Sequence, residues 1–212
     1  MLFNVEHRSI NHQKGLESRR RHSMLLRQLA DKYDLKQLAQ LSPEVALREV
    51  RPLLAYLASK QAVLSRSGHD QFTPHESNQP YVALSCTESD PSYALQLFVW
   101  PAHSTTQIHD HSCWGAFCAV TGALREDRFE RLDDGVRPNY AHIRTSWQRM
   151  WQHEDGVSTL LPYAGGIHRV SNPSHRPILS MHLYGPPAEI DGRDYDPRRD
   201  YVCDRFADDA LV

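Results

Sequence analysis

The segment Gln107-Ile108-His109-Asp110-His111 sets two imidazoles two residues apart. On a strand, alternate residues share a face, so His109 and His111 point the same way and can chelate one metal ion. Further along, Pro162-Tyr163-Ala164-Gly165-Gly166-Ile167-His168 puts a glycine turn just before a third histidine, and Asn172-Pro173 follows. A hairpin of this kind brings His168 beside the pair. Three neutral imidazoles make a facial site with positions open for water, substrate or dioxygen. The chain holds 13 His against 4 Cys. Histidine is the commonest metal ligand, so spacing must decide between a site and scattered surface residues.

A second pattern lies in Pro177-Ile178-Leu179-Ser180-Met181-His182-Leu183-Tyr184. It alternates strictly, so Ser180, His182 and Tyr184 share one face of a strand and Leu179, Met181 and Leu183 the other. A hydroxyl, an imidazole and a phenol in a row can relay a proton and hold Tyr184 toward bound oxygen or thiolate. If this polar face lines a barrel, the apolar face packs outward under other elements. The plain alternative is a polar strand face turned to solvent. His103 has the parity of His109, but Pro101 and Ser104-Thr105-Thr106 suggest a bend, so it reads as a loop residue and not a ligand. Trp100, Trp114, Trp147, Trp151 and Phe117 read as core, with Trp114 the one candidate substrate platform. Cys86, Cys113, Cys118 and Cys203 read as inert.

The elements that must position these residues divide the chain in two. Residues 1–15 are polar and lack periodicity, which suits an arm. Residues 17–67 are helical in pattern, with Met24, Leu25, Leu29, Leu35, Leu38 and Leu41 at helical intervals. Ser42-Pro43-Glu44-Val45 reads as a helix start, with Ser42 capping. A second helix runs through Leu53, Leu54, Leu57, Ala58 and Leu64 to Ser67-Gly68. Residues 68–80 suit a loop. Strand-length apolar runs follow at 81–86, 93–100, 114–121, 124–132, 141–145, 156–161 and 177–184, separated by turn residues, as in a sandwich or barrel. The tail from Pro186 suits an extended segment with a short helix near Tyr201. The expected plan is one structural domain, a helical segment over 1–67 packed on a β-barrel over 68–212.

With 212 residues the chain is long enough for one sizeable domain. Lys and Arg total 24 and Asp and Glu 26, and the net charge of -2 gives no reason to expect nucleic acid or an anionic membrane as partner. No apolar run approaches the ~20 residues of a membrane helix. The opening residues lack a basic stretch followed by an apolar core, and no CxxC pair occurs, so a reducing cytoplasm is the expected compartment.

The order of the blocks carries a resemblance. His109-x-His111 is followed by Gly115 and Gly122, and Gly156 by Pro162, Gly165, His168 and Asn172. This resembles the paired motifs of the cupin superfamily, with Gly115 where the usual glutamate ligand stands. The strings IHDH, GGIHRVSN and SMHLYGPP resemble, more narrowly, the cysteine dioxygenase family of thiol dioxygenases over roughly residues 80–190. That resemblance implies a mainly β, jelly-roll barrel with Fe(2+) held by His109, His111 and His168. It implies insertion of O2 into a small thiol carboxylic acid to give a sulfinic acid, with Ser180, His182 and Tyr184 beside the metal. Neutral ligands leave such a site cationic, which favours a thiolate.

The family's substrate residues are only partly present. Tyr81 matches the tyrosine of a Tyr-x-Arg pair, and Ala83 stands where its arginine should be. Arg193 matches the arginine that 3-mercaptopropionate dioxygenases carry after the Ser-His-Tyr strand, and a guanidinium fork suits a carboxylate. The family's crosslinked cysteine aligns with Gly115, so no Cys–Tyr crosslink is expected. The other readings are a cupin using Zn, Mn or Ni for isomerase or hydrolase work, and a ligand-binding cupin without catalysis. Expected partners are the thiol carboxylate and O2, with the protein a monomer or small homo-oligomer.

Overall fold

The computed structural model describes residue 28 and residues 31–59, 80–85, 92–196 and 201–204. The arm, the helical positions Met24, Leu25, Leu29 and Leu64, and the loop over 68–79 lie outside the described residues. Helix α1 is Leu35–Ala39, and the Asp34 side chain accepts from the Gln37 backbone N–H at 3.2 Å at its start. Helix α2 is Pro43–Ala58. Proline fits its first turn because no N–H there needs a partner. Ser42 occupies the cap position, but its side chain makes no capping bond, contrary to expectation.

Among the described residues eleven strands follow: β1 Val82–Ser85, β2 Ala94–Trp100, β3 Ile108–His109, β4 Gly115–Ala119, β5 Ala123–Arg131, β6 Ile143–Gln152, β7 Ser158–Leu160, β8 His168–Ser171, β9 Ile178–Tyr184, β10 Arg193–Asp196 and β11 Tyr201–Asp204. They form two antiparallel sheets. Sheet I has the order β1-β2-β9-β4-β7 and sheet II the order β11-β10-β3-β8-β5-β6. The result is a mainly β, cupin-type jelly roll with a helical segment packed on its outside.

Alternation along each strand sorts the side chains into two cores. Leu95, Leu97, Val99, Cys118, Leu179, Met181 and Leu183 face outward from sheet I and pack under Leu47, Val50 and Leu54 of α2. That is the covering the apolar face of β9 requires. Phe98, Trp100, Phe117, Leu124, Trp151, Val170 and Ile178 fill the space between the sheets. The same interior also takes buried polar groups, including His168, Ser180, His182 and Glu126.

Several boundaries differ from the sequence expectation. Strand β6 runs to Gln152, well past Thr145, because its pairing with β5 continues from Ile143 to Gln152. The segment at Tyr201 is a strand and not a helix, since Tyr201–Asp204 pairs along β10 from Asp196 to Arg193. Asn172 is fully buried. Its amide donates to the carbonyls of Trp100, Pro101 and Arg176, and its carbonyl accepts from Ser174, so it ties the end of β8 to the end of β2.

Candidate active site

Strands β3 and β8 are neighbours, with His109 directly opposite His168. His111 lies beyond the end of β3, so the loop sets its direction rather than the pleat. Asp110 anchors that loop. Its fully buried carboxylate accepts from the Tyr195 hydroxyl at 2.6 Å and the Arg193 backbone N–H at 2.7 Å. Burial raises the Asp110 carboxyl above its ordinary range, against the pull of those two donors. Strand β10 lies close over the loop because residue 192 is glycine. A Cβ there would come within 2.4 Å of the Asp110 carbonyl oxygen.

The ligand atoms of His109, His111 and His168 all lie within 4.8 Å of one another, and the His111 and His168 Nε2 atoms are 3.3 Å apart. Bonds of about 2.1 Å to one ion set two nitrogens roughly 3.0–3.4 Å apart at tetrahedral or octahedral angles, so the His111–His168 spacing fits a shared metal and His109 lies within reach of the same place. The second nitrogens are committed elsewhere. His109 Nδ1–H donates to the Gln107 carbonyl at 2.9 Å, and His168 Nδ1–H donates to Glu126 Oε1 at 3.1 Å. Both partners accept only, which leaves the Nε2 lone pairs of these two rings for a metal. Burial, reinforced by the charges of His109 and Arg128, holds His168 well below the ordinary histidine range. Its contact with Glu126 is therefore a hydrogen bond to a neutral ring rather than an ion pair.

Glu126 was not singled out in the sequence. It is 0% exposed, and its oxygens take four donors: His168 Nδ1, Arg128 Nε at 2.7 Å, Trp151 Nε1 at 2.9 Å and Ser158 Oγ at 2.7 Å. A buried carboxylate so surrounded is held in one place, and it fixes the plane of the His168 ring.

Across the interior stands the polar face of β9. Trp100 Nε1 donates to Ser180 Oγ at 2.7 Å, Ser180 Oγ meets His182 Nε2 at 2.7 Å, and His182 Nδ1 meets the Tyr184 hydroxyl at 3.1 Å. The three side chains expected on one face are thus a connected chain, and Trp100 extends it. The Tyr184 ring lies 5.2 Å from the His111 ring. Gly115 makes room for it. A Cβ at 115 would sit 3.1 and 3.2 Å from two Tyr184 ring carbons, so the position opposite the tyrosine accepts no side chain without displacing it.

Burial lowers His182 to about 3, with a smaller opposing pull from Glu126. Its folded-state value is below the unfolded one near 6.5, so the unfolded chain binds the extra proton as the pH falls. The metal-free protein should lose stability from about pH 6.5 downward to about pH 3, by ~1.4 kcal/mol per pH unit for this group. Denaturant unfolding at pH 7.0 and 5.5 measures that slope, and His182→Gln should reduce it, leaving the part that buried His168 contributes with the same sign.

The remaining sequence candidates sit further off. Tyr81 stacks on Phe98 at 4.1 Å and lies 5.1 Å from Trp100, so its ring contacts the interior wall. Alternation in β10 groups Arg193 with Tyr195 and Asp110, while Asp194 is the register partner of His109. Arg193 is the first residue of that strand, next to the His111 loop. His103 pairs with His175 at 2.9 Å on an exposed loop and takes no part in the three-histidine group. Trp114 is no substrate platform, since it packs in the core beneath α2. Trp147 is 42% exposed rather than core. Cys118 is buried and its thiol is pushed up to about 12, which makes it unreactive. Cys86 and the side chain of Cys203 lie outside the described residues.

Residues 78–198, more than half of the chain, match the family described as cysteine dioxygenase type I. The chain belongs to that family. The match makes it an oxidoreductase of the dioxygenase type, and it spans both histidine blocks, the Ser180-His182-Tyr184 strand and Arg193. No curated protein gives a significant match. Among solved structures, TT1209 from Thermus thermophilus is 15% identical, with 53% of this chain and 89% of that one covered and a TM-score of 0.38. An oxalate oxidase is 11% identical over 53% of this chain and 55% of its own, with a TM-score of 0.41. The cupin domain of Schizosaccharomyces pombe Cnp3 is 14% identical over 50% and 59%, with a TM-score of 0.35. These likenesses concern the fold alone. Among the described residues no helix is long and apolar enough to cross a membrane.

Proposed function

We propose that the protein is an iron-dependent thiol dioxygenase acting on a small thiol carboxylic acid. The reading rests on one observation above all: three imidazoles cluster within 4.8 Å of one another beside the tyrosine of a hydrogen-bonded Ser-His-Tyr chain. His109, His111 and His168 hold the metal, which when bound as Fe(2+) supplies redox chemistry that zinc lacks and a cationic seat for a thiolate. Both atoms of O2 go to the substrate sulfur, which is oxidised by four electrons while dioxygen is reduced by four. The thiol proton ends on the sulfinic acid or in solvent, and no further reductant is needed.

The chain's own residues handle orientation and protons. With the Trp100 indole donating to Ser180 Oγ, the serine proton is free to reach His182 Nε2. His182 then carries its proton on Nδ1 and donates to the Tyr184 oxygen, which leaves the phenol proton for the site. Neutral His182 suits that role, because a charged ring could accept nothing from Ser180. Aromatic walls from Phe98, Phe117 and Trp100 keep water from the relay. The substrate carboxylate is assigned to Arg193 on the resemblance alone, since alternation gives it the face of Tyr195 and Asp110 rather than that of His109, with Tyr81 on the interior wall as the second candidate.

Oxygen uptake by iron-loaded protein across cysteine, 3-mercaptopropionate, mercaptosuccinate and cysteamine tests the reading. Uptake matched by sulfinate from at least one thiol acid supports it, and none from any of the four rejects it. Tyr184→Phe should lower kcat by roughly 10²-fold while iron content stays at the wild-type level. Unchanged turnover would remove the relay from the mechanism. Arg193→Ala should raise KM for the thiol acid about tenfold, the loss expected for one charge-assisted carboxylate bond, with kcat little changed. An unaltered KM would move the carboxylate to another residue.

A further inference from the structure

We propose that a cleft between the free edges of the two sheets binds a small organic anion with a flat apolar body. Sheet I ends at β7 and sheet II ends at β6, and no strand pairing joins these edges among the described residues. Arg128 spans the gap instead, with Nη2 donating to the Ser158 hydroxyl at 3.1 Å and to the Thr159 carbonyl at 2.5 Å. Beside it lies a cavity of about 360 Å³ lined chiefly by Arg51, Arg128, Trp147, Arg149 and Trp151. That volume is in the range of small-molecule sites.

The lining is chemically one-sided. It has three guanidinium groups and no carboxylate, in a chain whose net charge is -2. Arg128 is committed to Glu126 and to the β7 edge. Arg149 sits over the Trp151 ring, its Cζ 4.1 Å from the ring centre, and makes a long, exposed ion pair with Asp155 at 3.9 Å. Arg51, on the exposed side of α2, has no ion pair among the described residues. Stacking orients a guanidinium fork while leaving its edge donors available, which suits a carboxylate, sulfonate or phosphate. Trp147 is exposed at the rim with the Arg128 guanidinium 5.2 Å from its ring centre, so its indole offers a stacking surface for a planar group.

This site is separate from the histidine centre. Glu126 stands between them, taking Trp151 and Arg128 from the cleft side and His168 from the other. The proposal does not depend on the thiol reading, since it uses residues outside that centre. An occupant would touch the same indole and guanidinium that hold Glu126.

Titration calorimetry of the iron-loaded protein with 2-naphthoate tests this, with 2-naphthamide as the uncharged control. One equivalent of naphthoate is expected to bind with a sub-millimolar Kd, about tenfold or more tighter than the amide. Arg51→Ala and Arg149→Ala, both on exposed positions, should each weaken naphthoate about five- to tenfold, and added salt should weaken it further. Trp147→Ala should weaken naphthoate and leave acetate unaffected. Equal binding of acid and amide, no binding at millimolar ligand, or binding indifferent to both arginine variants would overturn the proposal.

Discussion

Iron-loading of a His168→Ala variant should leave the protein essentially metal-free, below about one tenth of an ion per chain where the wild type takes one. Two imidazoles remain, one on a strand and one on a loop, and neither the geometry nor the charge of the trio survives. The readout need not be activity. Metal bound only to the native state stabilises it by about 2.7 kcal/mol at a hundredfold excess over Kd, so added iron should shift wild-type unfolding and leave the variant where it was. An iron-dependent shift of wild-type size in His168→Ala would reject the three-histidine assignment.

The second large effect is expected at Glu126, which touches no metal. Glu126→Gln keeps the shape but replaces one acceptor oxygen with an NH2 that faces donors. His168 loses a fixed partner for Nδ1, and metal affinity should fall roughly 10–100-fold. Glu126→Ala goes further. It removes the acceptor of three buried groups, His168, Trp151 and Ser158, and of the part-buried Arg128 Nε, and should cost roughly 3–5 kcal/mol of stability. Competition against a calibrated chelator measures the first, and denaturant unfolding of the metal-free proteins the second. Wild-type affinity in Glu126→Gln would reduce the carboxylate to a purely structural group.

Glu126 escapes a reading of the sequence for a reason that β9 makes plain by contrast. In β9 the polar and apolar residues separate cleanly by parity, and each face has one character. In β5, Arg125-Glu126-Asp127-Arg128 looks like a solvated charge run on both faces. Only the register shows that Glu126 and Arg128 turn inward, opposite Val170 and His168, while Asp127 pairs outward with Arg169. The parity that puts Leu124 inside would have placed Glu126 and Arg128 there too, had the strand's inner face been known. Strand β6 was cut short for a related reason, since its exposed residues carry no alternation and its length comes from its partner. The charged run of β10 and the Tyr201 segment are strands through long-range pairing that no local propensity reports. The histidine trio was legible because metal ligation demands residue types that chance seldom sets in that order, whereas the direction of Arg193 depends on how a loop after Gly192 enters a strand.

Position 115 has a consequence for how such sites diverge. A Cβ at 115 would press on the ring of Tyr184, so a carboxylate side chain there enters only if the ring gives way. A mutational path toward four-ligand coordination therefore has to move the ring of Tyr184 as well as add the carboxylate, so residues 115 and 184 should be energetically coupled. A double-mutant cycle between Gly115→Ala and Tyr184→Ala should depart from additivity in stability, because the second substitution removes the ring carbons that the added methyl meets.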